Sequence, residues 1–430
     1  MTQNSTAHPK GLYVLYTTEM WERFNFYGMR AILSLFLVSA LAFKQNEASI
    51  LYGGFLGLSY LTPMLGGYIS DRYLGNRNCI IFGGFVMALG QLFLFGSANT
   101  FAANLPLANI LMWSGLFFLI MGNGFFKPNI SSMVGQLYIK GDTKLDAAFT
   151  IFYMGINTGA FLGMLICPWV GDVKVDGIRV VEAFKWGFLA AGTAMMIGTI
   201  SFYFLKNKFI VSPSGEAVGL KPSFNAVKDI SKESEKAEFS NQSIGISVFI
   251  FAVLVYVFHS FIATAEANPI KDWIYPIIYA SGLSLAFLIM TDKTLSKIER
   301  DRIWVLYIIS FFVIFFWSAF EQAGSSLTFI ADQQTDLHFL GIELPPSSVQ
   351  NANSIFIVLL AFPFSWLWTW MQKRGIEPNS PAKQSIGLLL LATGYFIIAS
   401  QVKDLGSQKL GVARSEEHTS ELQSRQCISY

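Results

Sequence analysis

Charge is scarce in this chain: Asp, Glu, Lys and Arg supply 13% of its 430 residues, about half the share usual in a soluble domain. That excludes an ordinary solvated globular protein, and a net charge of +2 excludes a nucleic-acid binder working through a basic surface. Cysteine is nearly absent. Cys79 and Cys167 fall in apolar segments and Cys427 in the tail, with no CxxC spacing, so neither a disulfide framework nor a thiolate metal site is expected. Of four histidines only His259 falls in an apolar segment, and no nucleophile with a base or His/carboxylate cluster stands out, so an enzyme is not expected. The amino end, "MTQNSTAHPK", lacks an apolar core followed by a cleavage site, and no removable signal peptide is expected.

Apolar residues are abundant: 53% of the chain is hydrophobic, 40 residues are Phe and the mean hydropathy is +0.46. These values predict an all-α polytopic membrane protein. Runs long enough to cross a bilayer lie near 13–42, 48–70, 79–98, 106–138, 147–170, 184–205, 243–262, 273–291, 303–331, 349–371 and 384–402. The one long polar interruption, Lys206 to Gln242, separates six spans from the rest. With the amino end inside, 18 basic residues between spans fall on the cytoplasmic side and 7 on the other, the asymmetry that cytoplasmic loops carry.

Six charges belong to no loop: Glu19, Glu22, Arg23, Arg30, Lys127 and Glu321. Each costs about 2.5–3.5 kcal/mol at mid-membrane on insertion scales, so the six need a polar interior and mutual pairing. In "EMWERFNFYG", Glu19, Glu22, Arg23, Phe26, Tyr27 and Arg30 follow the i, i+3, i+4, i+7 rule and share one helix face. Arg23 is placed to neutralise Glu19; the alternative is a salt bridge that only packs helices. Lys127 precedes Pro128, which permits a bend there, and its counter-ion is expected to be Glu19 or Glu22 unless the side chain snorkels to the interface. Glu321 is suited to a substrate amine or a proton, or to a neutral packing role.

Several stretches carry a family resemblance. Gly67, Asp71, Arg72, Gly75 and Arg77 resemble the G-x3-D-R-x2-G-x-R loop signature of the major facilitator superfamily, in which Asp71 can hold a neighbouring helix end by charge. "EMWERFNFYG" resembles the E-x-x-E-R-F-x-Y-Y-G signature of the proton-dependent oligopeptide transporters, and Phe26 departs from it where the motif has a tyrosine. "GNGFFKPNISSMVGQLY", "FYMGINTGAFLG", "FEQAGSSL" and "VQNANSIFIVLLAFP" are similar to further conserved stretches in the same order. The resemblance implies two six-helix bundles with a bacterial-type helix pair inserted between them: a first bundle over 1–205, linker and inserted pair over 206–302, and a partial second bundle of three helices over 303–413, with the last three core helices missing.

It also implies residue roles. Glu19, Glu22, Arg23 and Lys127 would couple protons, with Lys127 pairing to the motif. Arg23, Tyr27, Arg30, Tyr60, Lys127 and Asn157 would line the site, the basic ones drawing a peptide's carboxyl end, while Glu321 receives its amino end with Asn353 nearby. The expected activity is proton-coupled import of di- and tripeptides by alternating access, and the alternative is another small solute such as nitrate or an amino-acid conjugate; a non-transporting receptor is the remaining reading. Expected partners are small peptides, protons and the lipid of a bacterial inner membrane, with an inside amino terminus, a monomeric state, no nucleic acid, no metal and no cofactor. From Arg414 the chain reads "RSEEHTSELQSR", which resembles the in-frame translation of a common sequencing adapter, so 414–430 is expected to be an artefact and the truncated chain not to transport.

Overall fold

The computed structural model describes residues 8–139, 141–175, 177–221, 239–264, 266–339, 342–403 and 410–411. The expected adapter-derived tail, most of the linker, and Lys140 and Lys409 lie outside them. Helices dominate what is described, and nine segments are long and apolar enough to cross a membrane. The charged first helix is not among these nine, because every 18-residue window of it holds at least three charged residues.

Six helices form the first unit: α1 (Lys10–Ser39), α2 (Gln45–Ile69), α3 (Asn76–Thr100), α4 (Leu105–Gln136), α5 (Leu145–Gly171) and α6 (Phe184–Phe209). Each starts within a few residues of the sequence expectation. At α4 the cause is local: the Asn104 side chain accepts from the Leu107 N–H at 3.0 Å, and Pro106 occupies the first turn, where its missing N–H costs nothing. Helix α4 runs on through Pro128. Helix α1 is the centre of the unit, with 21 of its 30 residues buried. It lies along α5 and α6, while α3 packs on α4 and α6 and α2 packs on α4.

The charge-bearing face of α1 therefore sits among neighbours and not against lipid. A buried amide pair, Gln91 Nε2 donating to Asn25 Oδ1 at 2.7 Å, ties α1 to α3. Between α5 and α6 the chain makes a two-strand hairpin, β1 (Lys174–Val175) and β2 (Ile178–Arg179), antiparallel with Lys174 opposite Arg179.

After the linker come α7 (Asn241–Ile262) and α8 (Tyr275–Met290). They pack on each other, and α8 with the turn before it, Ile270–Ile274, packs on α2. The Tyr275 hydroxyl donates to the Ile50 carbonyl at 2.9 Å, and Gly53, Gly54 and Gly57 leave room for Tyr275, Ile270 and Ile278. The expected single span over 303–331 is two pieces, α9 (Lys297–Phe320) and α10 (Ser326–Gln334), joined by a tighter turn at Glu321–Gly324. The break falls at "GSS", Gly324 to Ser326, residues with weaker helix preference than Ala or Leu, and Ser325 takes φ −130°, ψ −94°. Helices α11 (Ala352–Lys373) and α12 (Ser380–Lys403) complete the described chain.

Candidate functional site

The first cluster is built within one helix. Glu19, Glu22 and Arg23 are all buried, at 1%, 0% and 6% exposure. Arg23 Nε lies 2.6 Å from Glu19 Oε1 and 3.0 Å from Glu22 Oε2. One guanidinium therefore serves two carboxylates, and neither Glu22 oxygen nor Glu19 Oε2 gains a hydrogen-bond donor among the described residues. Lys127 is a correction: it forms no ion pair with a described carboxylate, and its Nζ sits 4.2 Å from the Tyr60 ring centroid. The physical reason is that Arg23 reaches both carboxylates from its own helix, leaving the ammonium an aromatic face, itself a favourable partner for a cation.

The second cluster joins distant parts of the chain. Arg30, 4% exposed, holds Glu321 in a two-pronged contact, Nη2 to Oε2 at 2.8 Å and Nη1 to Oε1 at 3.4 Å. Its guanidinium carbon lies 5.2 Å from the Tyr27 ring centroid and 5.9 Å from that of Tyr52. The break at Glu321–Gly324 makes this possible. It frees the Gly324 carbonyl to accept from Ser34 Oγ at 2.5 Å and brings Gly324 against Tyr52, where a side chain would collide with the tyrosine ring. One turn away, Gln350 Nε2 donates to the Ala31 carbonyl at 3.1 Å and to Thr328 Oγ1 at 2.9 Å. The expected stripe partner on another span is thus present for Arg30.

Beside this contact lies a cavity of about 430 Å³ lined by Tyr27, Arg30, Asn157, Gln350, Trp317 and Phe320 among others, and by Lys383 and Gln384 at the start of α12. Its size suits a small solute with an extended backbone. Of the residues expected at the site, Tyr27, Arg30 and Asn157 line it, and Glu321 adjoins it through Arg30. Tyr60 and Lys127 do not line it, nor do Glu19, Glu22 and Arg23. The Asn353 side chain lies outside the described residues. Phe26, the departure from the motif, is buried and stacks on Phe55 at 5.9 Å between centroids, so the missing hydroxyl faces packing and not the cavity.

The loop after α2 behaves differently from expectation. Asp71 is exposed and has no hydrogen-bond or ion-pair partner among the described residues, because the π-helical turn Ser70–Leu74 carries it at the surface. Arg72 stacks over Tyr68 at 4.9 Å. Arg77 carries the anchoring contacts: it donates to the Val218 carbonyl at 2.5 Å, to Asn207 Oδ1 at 3.0 Å and to the Ile210 carbonyl, pinning the start of the linker under the first unit. Gly75, at φ +75°, lies directly under Leu220 of that strap, where a side chain would neither fit nor favour the backbone. Gly67 packs near Pro128.

Comparison with known proteins decides the family. A family model described as PTR2, POT family, matches residues 77–422. The chain belongs to the POT family. The POT match runs past the described residues and into the tail. The chain is 32% identical over 401 residues to the peptide transporter YePEPT of Yersinia enterocolitica, covering 91% of this chain and 73% of that protein. It is 27% identical over 409 residues to the dipeptide and tripeptide permease A of Proteus mirabilis, covering 94% and 75%. Among solved structures, a POT family transporter in complex with 5-aminolevulinic acid matches at TM-score 0.77 and 27% identity, over 99% of this chain and 83% of that one. The POT fold is thus reached both from the helices and from the relatives.

Tyr52, Ser34, Gln350 and Arg179 were not singled out from sequence. Tyr52 and Ser34 are single polar groups in apolar runs with no spacing signal. Gln350 is the second residue of "VQNANSIF", where an amide just before an apolar run is a usable signal. Arg179 lies between two apolar runs, where a basic residue carries no signal beyond orientation.

Proposed function

We propose that this POT-family protein is a symporter that moves di- and tripeptides into the cell with protons, across a bacterial cytoplasmic membrane, its amino terminus inside. The observation that carries this reading is the Arg30–Glu321 contact at the wall of the cavity. A zwitterionic peptide brings a carboxylate for a cation and an ammonium for a carboxylate, and here both stand on opposite halves, already facing each other. Peptide binding substitutes its two ends for that internal pair, drawing carboxylate to Arg30 and amine to Glu321, with Asn157 and Asn353 near the backbone. Relatives named as peptide transporters and as dipeptide and tripeptide permeases support the same cargo, as does a matching POT structure with a thioalcohol conjugated peptide.

Proton coupling is assigned to Glu22 with Glu19 as its neighbour. Two buried carboxylates share one contacting cation among the described residues, so one added proton would leave the cluster with one carboxylate for one guanidinium. Protonation of Glu22 leaves Arg23 to Glu19 alone and removes one negative charge from the stripe, which biases the two halves toward the alternative opening. The halves are assigned as 1–205 and 303–413, with 206–302 as linker and inserted pair, and Gly67, Asp71, Arg72, Gly75 and Arg77 as the loop at the cytoplasmic gate. The driving force is the proton gradient, the protein acts as a monomer, and no cofactor is assigned. The test of cargo is exchange in liposomes: labelled dipeptide inside should exchange with unlabelled di- and tripeptides outside and not with nitrate. Exchange with nitrate, or none with peptides, would favour another solute.

A further inference from the structure

An apolar groove on the outside of the first unit has no part in the transport reading. It runs between α5 and α6, which both pack on α1, and has a volume of about 640 Å³. Its floor is α1, through Trp21 and Phe24, and its walls include Ile166 of α5 and Trp186, Thr193 and Ile197 of α6. No charged side chain lines it, and it shares no lining residue with the cavity beside Arg30. Ile166, Trp186, Thr193 and Ile197 are exposed. Because α5 and α6 are both long and apolar enough to cross a membrane, those exposed faces meet hydrocarbon.

The dimensions fit one leaflet of lipid. From Trp186 to Ile197 helix α6 advances about 16 Å, and half of a hydrocarbon core about 30 Å thick is about 15 Å. Trp186 stands in the first turn of α6, at the membrane–water boundary where indole rings concentrate. Trp21 closes the other end, packed so tightly on Gly198 that a side chain there would collide with it. The groove therefore begins at the hairpin-side surface and stops near the bilayer centre, the course of one acyl chain.

The mouth of the groove carries a cation without a counter-charge. Lys185 Nζ lies 5.5 Å from the Trp186 ring centroid and donates to Asn99 Oδ1 at 3.3 Å, and it forms no ion pair with a carboxylate among the described residues. The hairpin cations differ: Lys174 and Arg179 are taken up by Asp332 and Asp172. An aromatic face and a neutral carbonyl leave the Lys185 charge uncompensated, one indole ring away from the groove.

We propose that the groove and Lys185 together seat one anionic phospholipid of the hairpin-side leaflet, with an acyl chain along Trp186, Thr193 and Trp21 and the phosphate on the Lys185 ammonium. The two parts of the site match the two parts of the ligand. Basic positions between membrane helices take anionic head groups, and lysine at a helix end reaches for the interface. A chain lying on Trp21 and Phe24 backs the segment of α1 that carries Glu22 and Arg23, so the lipid props that helix from outside.

The test is binding of dioleoyl-phosphatidylglycerol to the delipidated complete protein, counted by mass spectrometry of intact complexes released from detergent, with dioleoyl-phosphatidylethanolamine as comparison. The parent should hold one phosphatidylglycerol about fivefold more tightly than phosphatidylethanolamine, the effect of roughly one well-placed lysine. Lys185→Gln should remove that preference, while Lys44→Gln, at an exposed cation on the same side, should keep it. Thr193→Phe fills the groove from its exposed face without entering the core, and should weaken both lipids about tenfold or more by displacing buried methylenes. Thr193→Leu carries the same prediction if Thr193→Phe is not monodisperse. Unchanged phosphatidylglycerol binding in Lys185→Gln or in the groove-filling variant overturns the seat. So does an equal loss in Lys44→Gln, or a second copy of the chain bound in place of the lipid.

Discussion

The Arg30–Glu321 contact yields the sharpest test of how substrate is held. Glu321→Gln keeps the shape and one acceptor oxygen but removes the charge that a peptide ammonium would meet. A hydrogen bond to a charged group is worth about 1.5–3 kcal/mol, and with Glu321 21% exposed the lower part of that range applies. At about 1.4 kcal/mol per factor of ten, the expected loss in affinity for a dipeptide with a free amine is roughly ten- to thirtyfold. The assay is a ligand–protein cycle: dipeptide and its N-acetyl derivative titrated calorimetrically against the parent and Glu321→Gln. Acetylation should weaken binding in the parent and have little further effect in the variant, because the same interaction has been removed twice. An equal penalty for acetylation in both proteins would refute the assignment of Glu321 to the amino end.

Other outcomes follow from the geometry. Arg23→Ala leaves Glu19 and Glu22 buried without the one cation that contacts them among the described residues, and should lower stability by about 3–5 kcal/mol, read as a collapse of the thermal transition in detergent; Arg23→Lys should recover part of it. Glu22→Gln should abolish concentrative uptake while sparing dipeptide exchange, and retained accumulation would move the coupling elsewhere. Phe26→Tyr should leave peptide affinity unchanged and lower stability by about 1–3 kcal/mol for a new hydroxyl in a packed site, since Phe26 faces Phe55 and not the cavity. Arg77→Ala should expose the strap at 210–221 to protease under native conditions, because two side-chain hydrogen bonds from Arg77 hold it, to the Ile210 and Val218 carbonyls; no change in cleavage would mean these two bonds do not hold the strap.

Much of the architecture was legible because bilayer thickness imposes a run length that composition reveals. All eleven expected runs coincide with helices, and the ends differ by a few residues where caps and turns decide. The broken helix at Glu321–Gly324 was not legible, because "FFWSAFEQAGSSLTFI" keeps its apolar character across the break and only backbone geometry reveals it. Helical spacing predicted the shared face of Glu19, Glu22 and Arg23, and Arg23 does reach Glu19 as the i,i+4 rule requires. Spacing within one helix says nothing about partners on another. Charge balance therefore points Lys127 to a carboxylate, whereas its ammonium faces Tyr60, and the Arg179–Asp332 ion pair, 2.7 Å long between residues 153 positions apart, leaves no trace in local pattern.

The central claim is that peptide movement is tied to proton movement, and one measurement addresses it directly. Labelled dipeptide uptake by the complete protein in liposomes is followed with an inward proton gradient imposed and with that gradient collapsed by a protonophore. The account predicts accumulation above the external concentration that vanishes on collapse and is absent in Glu22→Gln; uptake of equal extent with and without the gradient would contradict it.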